Sequence, residues 1–198
     1  MTQTEQVEQT TVVSRWFGKR FSELHPLLQS LHLKGGTLRG MIEIRTGAGL
    51  AAWIGKRLAA SLGIPVDKLR RGFEVEIRHT SKALEWRRTF DNGQTLVSIF
   101  EPVGVWPQGY WIERTGPLSL QLTVDVNDGA WQWRPLRASY RGLRLPLCLL
   151  PQSRAGKRIV DGKYVFHVEF ALPVMGKVLS YSGTLDADAA NGGLRQEG

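Results

Sequence analysis

The sequence predicts an α+β protein: a strongly curved antiparallel meander sheet or barrel of about 8–9 strands, with two or three N-terminal helices covering one end or the concave face. Three observations predict it. Pro117–Asn127 alternates without a break, Leu118, Leu120, Leu122, Val124 and Val126 against Ser119, Gln121, Thr123, Asp125 and Asn127, and strands place successive side chains on opposite faces. Hairpin-type turns, Asp91-Asn92-Gly93, Asn127-Asp128-Gly129 and Asp161-Gly162, separate strand-length runs, and such short links suit antiparallel pairs, whereas parallel strands need long crossovers. Helical spacing is confined to the chain before Gly63.

In order, residues 1–11 are polar and read as a disordered tail. Val13, Trp16, Phe17, Phe21 and Leu24 recur at helical spacing, so a helix starts near Thr11. His25-Pro26 interrupts it, because the residue before proline avoids the helical region while proline suits a first turn. A second helix over Pro26–Leu33 ends at Gly35-Gly36. Thr37–Arg45 reads as a strand, and Leu50–Leu62 as a helix burying Leu50, Trp53, Ile54, Leu58 and Leu62 opposite Lys56 and Arg57. Gly47 and Gly49 before that helix match no phosphate-loop spacing, so they read as a turn.

Strand patterns then follow: Phe73/Val75/Ile77, Leu84/Trp86/Arg88/Phe90, Gln94–Glu101, Tyr110–Thr115, the run above, Ala130–Tyr140, Ser153–Val160, Tyr164–Leu172 and Lys177–Leu185. Pro102–Gln108 is a loop, and the apolar Leu143–Pro151 a turn or single helical coil. One domain spans 12–186, and 187–198 is a flexible tail.

Totals narrow the function. One Cys among 198 residues excludes an internal disulfide and a multi-thiolate zinc site, and Cys148, within Leu145–Leu150, reads as a small buried hydrophobe. No run reaches the ~20 apolar residues of a membrane helix, and the acidic, polar N-terminus is unlike a secretory signal. A reducing, bacterial-type cytoplasm is the expected location. The net charge of +8 comes from scattered pairs, Arg70-Arg71, Arg87-Arg88 and Lys157-Arg158, without a basic block, so no nucleic-acid partner is expected.

Candidate ligand-binding residues are Trp86, Arg88, Ser98, Tyr110 and Arg114. Arg88 shares a face with Leu84, Trp86 and Phe90, and Arg114 with Tyr110 and Ile112. An arginine on an apolar face must be paired or reach water. Two readings stay open: both arginines line a cavity and hold a carboxylate or phosphate, or they form salt bridges to Glu85, Glu113 or Glu169, or snorkel at a rim. His25 and His32 lack a third ligand, so no metal site is predicted, nor any cofactor. His167 with Glu169 reads as exposed decoration or an acid–base pair. Ser98 has neither a histidine nor a glycine elbow beside it, which argues against a serine hydrolase. Trp131, Trp133 and Arg137 share one face and suit either base stacking or core packing.

Several phrases resemble the bacterial family catalogued as domain of unknown function 4166: L-H-P-L-L-Q-S-L-H (24–32), G-G-T-L-R-G (35–40), L-A-A-W-I-G-K-R-L-A-A-S-L-G-I-P (50–65), E-W-R-R-T-F (85–90), W-I-E-R-T-G-P-L (111–118), L-R-L-P-L-C-L-L-P (143–151), D-G-K-Y-V-F-H-V (161–168) and V-L-S-Y-S-G-T-L (178–185). Their order over roughly 16–185 carries the resemblance. It implies a compact module without an assigned reaction, one that other members carry behind a saccharopine-dehydrogenase-like domain or beside a membrane segment. Where members tend to have acidic residues after the Leu-Pro loop, this chain has Ser153–Arg158.

The functional expectation is a binding module that holds an apolar or lipid-like small molecule, with an anionic group allowed by the arginines. The alternative is an accessory domain partnering a redox enzyme or membrane complex, suggested by the family fusions. An enzyme using the same cavity is the third reading. The helix Leu50–Leu62 could also rest peripherally on a membrane, although its modest charge favours core packing.

Overall fold

A computed structural model describes residues 10–146 and 152–189, with backbone alone at 152–154. The tail residues 1–9 and 190–198, and Cys148 within 147–151, lie outside the described residues. Among the described residues the chain forms helices α1 (Val12–Phe17), α2 (Pro26–Lys34) and α3 (Gly49–Leu62), a 3-10 turn at Gly18–Glu23, and eleven strands. These are β1 (Gly36–Thr46), β2 (Arg70–His79), β3 (Leu84–Phe90), β4 (Thr95–Val103), β5 (Tyr110–Thr115), β6 (Leu118–Asn127), β7 (Ala130–Tyr140), β8 (Leu143–Leu145), β9 (Gln152–Val160), β10 (Lys163–Leu172) and β11 (Gly176–Ala189).

Every pairing is antiparallel, in the order β6-β5-β4-β3-β2-β1-β11-β10-β9-β7, and β6 also pairs with β7. Ten strands therefore close into a barrel, with β8 attached outside along the end of β7. The expectation of about eight or nine strands is roughly consistent with this, and every segment read as a strand is one of the ten. The run expected to be a turn or coil contributes β8, a strand too short to show alternation. Closure leaves no open edge among the ten.

Closure is uneven. β1 and β11 are in register from Gly36↔Ala189 to Thr46↔Leu179, whereas β7 and β9 meet only at Trp131↔Lys157, Gln132↔Gly156 and Trp133↔Ala155. A bulge in β7 near Leu136 lies just beyond that seam, where Leu122 faces Pro135 but Gln121 faces Arg137. An extra residue in one strand reverses which face the following side chains occupy.

Both barrel ends are stoppered. α1, capped by Thr11 and Ser14, and α2, opened by Pro26, insert Val13, Trp16, Phe17, Leu24, Leu28 and Leu31 into the core. They are tied to the rim loops: His25 N–H donates to the Gly129 carbonyl at 3.0 Å, and Trp106 N–H to the Trp16 carbonyl at 2.9 Å. At the other end Leu62 and Ile64, from the end of α3 and the segment after it, face the interior.

α3 packs in part as expected, with Leu62 buried and Ile54 and Leu58 partly buried against the core, but the centre of its buried stripe is shifted. Ala51, Gly55, Ala59 and Leu62 are buried, while Leu50 and Trp53 are 63% and 57% exposed. The reason is close approach: a Cβ on Gly55 would stand 1.9 Å from the Val178 carbonyl oxygen. Small residues at helical spacing let the helix backbone lie directly on β11, and Leu50 and Trp53 are turned outward.

Candidate functional site

The inward positions of β3, β4 and β5 bring together Trp86, Arg88, Ser98, Glu113 and Thr115 around a cavity of about 100 Å³. Arg88 Nη1 donates to Ser98 Oγ at 2.7 Å. Glu113 Oε1 accepts from Ser98 Oγ and from Thr115 Oγ1, both at 3.1 Å. Strand register builds this network, since Ser98 pairs with Thr115 and Trp86 with Ser98. Arg88 and Glu113 therefore communicate through a hydroxyl, and no carboxylate lies within ion-pair distance of Arg88 among the described residues.

Three of the five candidate residues, Trp86, Arg88 and Ser98, thus meet inside. Arg114 and Tyr110 do not. In β5 the buried positions are Trp111 and Thr115, with Glu113 between them on the cavity, so Tyr110, Ile112 and Arg114 take the outer face. Arg114 is exposed there and paired with Glu101. The physical reason is that β5 is apolar on both faces, and burying the Trp111 indole outweighs burying Ile112 beside a guanidinium.

The wall opposite Arg88 carries Lys157 from β9, 4% exposed. Its Nζ is 2.6 Å from His32 Nε2 of α2, 3.7 Å from the centre of the Trp131 ring and 4.7 Å from that of Trp86. A lysine buried without an acidic partner must lose its charge or find acceptors and π faces to hold it. Burial, and then the Arg88 guanidinium, hold the Lys157 ammonium well below the ordinary lysine range. Burial first, then Lys157 and His79, push His32 below the usual imidazole value. The phenols of Tyr164 and Tyr181, which line the same cavity, are pushed up by burial and stay protonated.

The apolar lining comes from Leu96, Phe100, Leu118, Leu120, Trp133, Phe166, Val168 and Phe170. An outer groove of about 600 Å³ straddles the β7–β9 seam and shares Trp133, Ala155, Gly156, Lys157 and Phe166 with the interior cavity. The site is thus an apolar chamber with one guanidinium, one buried amine and one carboxylate already bound by hydroxyls, backed by an outer groove across the wall where the barrel is least tightly laced.

Lys157 was missed because Lys157-Arg158 reads as a solvated pair. Its parity with Ile159 was the available signal, as β9 places Lys157 opposite the inward Phe166. Trp131 and Trp133 point into the barrel, but the β7 bulge sends Arg137 outside, so the three share no face. His25 and His32 also part: His25 caps α2, its Nδ1 accepting from Leu27 N–H, and His32 is buried. His167 and Glu169 lie 3.4 Å apart on the outer face, with Lys177 at 2.8 Å from the same carboxylate. Among the described residues no group of three or more His, Cys, Asp or Glu is placed to hold a metal ion, and no helix is long and apolar enough to cross a membrane.

Fold and site together define a class: a closed, end-stoppered antiparallel barrel with a small charged interior. The model of the family described as Domain of unknown function (DUF4166) matches residues 24–185, and the chain belongs to that family. The match begins at Leu24, within the segment that plugs the barrel, and ends at Leu185 in the last strand. No curated protein matches the chain.

Proposed function

We propose that this domain is a binding module for a small amphipathic anion. The carrying observation is that Arg88 and Lys157 line one apolar cavity in which the single acidic side chain among the described residues, Glu113, is engaged by Ser98 and Thr115. The Arg88 guanidinium, which among the described residues has a hydroxyl and no carboxylate as partner, gains a charge-assisted contact from a ligand carboxylate or phosphate. Aromatic filling leaves an interior of about 100 Å³, which suits a headgroup rather than a whole lipid. An apolar remainder would lie in the outer groove, beside Trp133 and Phe166.

Calorimetric titration with octanoate tests this, with 1-octanol as the uncharged control. Octanoate binds and octanol binds more weakly. Arg88→Gln weakens octanoate by at least about tenfold, or about 1.4 kcal/mol, as loss of a charge-assisted contact requires. Equal heats for acid and alcohol, or unchanged affinity in a folded Arg88→Gln protein, would refute the proposal.

A further inference from the structure

Arg88 carries the charge that an anion site needs, whereas Lys157 sits where charge is disfavoured. It lines both the interior cavity and the outer groove. Its Nζ lies against His32 Nε2 and two indole faces, with no carboxylate within ion-pair distance among the described residues. The titratable groups lining its cavity are Arg88, Glu113, Tyr164 and Tyr181, and His32 and His79 stand behind it. A lysine desolvated in an apolar pocket beside another cation is the arrangement that frees an amine lone pair for attack on a carbonyl carbon.

We propose that Lys157 is a carbonyl-reactive amine: a small aldehyde or ketone bearing a carboxylate sets its anion against Arg88 and forms an imine on Nζ. This rests on the anion-binding reading above and deepens it to a substrate class. The Nζ lone pair adds to the carbonyl carbon while the C=O π pair moves to oxygen, which takes a proton released by the nitrogen. The carbinolamine then loses its hydroxyl together with the second amine proton as one water, and the nitrogen pair forms the C=N bond. No oxidant or reductant is consumed. His32 Nε2 accepts a hydrogen bond from one amine N–H, which turns the lone pair away from the imidazole ring.

Trapping with glyoxylate and cyanoborohydride at about pH 7 is the test, the hydride going to the imine carbon. Intact mass and peptide mapping are expected to place one carboxymethyl group on Lys157, at least about tenfold above any surface lysine, since those remain ammonium ions at that pH. Lys157→Met, checked for a native near-UV dichroism spectrum, loses that adduct. An adduct spread evenly over surface lysines, or none on Lys157, overturns the proposal. Octanoate titrated into the same preparation separates the two claims: octanoate binding without trapping sinks the amine chemistry alone, and neither result positive sinks both.

Discussion

At the scale of single residues, the unusual expense of this molecule is concentrated in Lys157 and His32. Both bases have folded-state values below their unfolded ones, 10.5 for lysine and 6.5 for histidine. The unfolded chain then binds more protons than the native one in each window below those values, so stability rises with pH through them. As pH falls below 6.5 the unfolded imidazole charges and the native one resists, and the fold weakens. The urea midpoint is expected to climb between about pH 5 and about pH 8, and the climb to shrink in Lys157→Met with His32→Leu. A flat profile in the native sequence would contradict the buried pair. Ser98→Ala removes the hydroxyl joining Arg88 to Glu113 and should cost about 1–2 kcal/mol in denaturant titrations.

At the scale of elements, α3 and β5 show where pattern and packing part. Periodicity located α3 almost to the residue but assigned its buried side by residue size. The contact instead centres on Ala51, Gly55 and Ala59, because Gly55, and Gly47 just before the helix, lie against the carbonyls of Val178 and Lys177. Gly55→Ala therefore forces helix and strand apart and should cost more than about 3 kcal/mol, while Trp53→Ser stays within about 0.5 kcal/mol. Thermal melts of both variants decide it, and comparable losses would mean the small face is not the contact. In β5 alternation was legible but its phase was not, since Tyr110 and Ile112 are as apolar as Trp111. In β7 the phase was legible until the bulge reversed it for Arg137.

At the scale of the whole molecule, what the sequence disclosed was local. Strand alternation, hairpin turns and helix stops all lie within a few residues of one another, so they survive without tertiary context. Closure depends on β1 meeting β11 and β7 meeting β9, pairings far apart in the chain that no local signal encodes. Trp86, Arg88 and Ser98 could be grouped because β3 and β4 form a hairpin, whereas Lys157 joins them only through closure. The same asymmetry predicts dynamics. Amides along the three-pair β7–β9 ladder are expected to exchange with deuterium well before those of β1 and β11. Uniform protection around the barrel would contradict the seam.

Packing of the indoles has an optical consequence. Trp111 lies 5.3 Å from Trp16 and 6.2 Å from Trp133, and Trp131 lies 4.9 Å from Trp133. Excited states that close together couple, giving an exciton doublet in circular dichroism and emission shared by transfer among the rings. Lys157 rests on one member of that array, Trp131, so chemistry at its nitrogen becomes visible as quenching without any added dye.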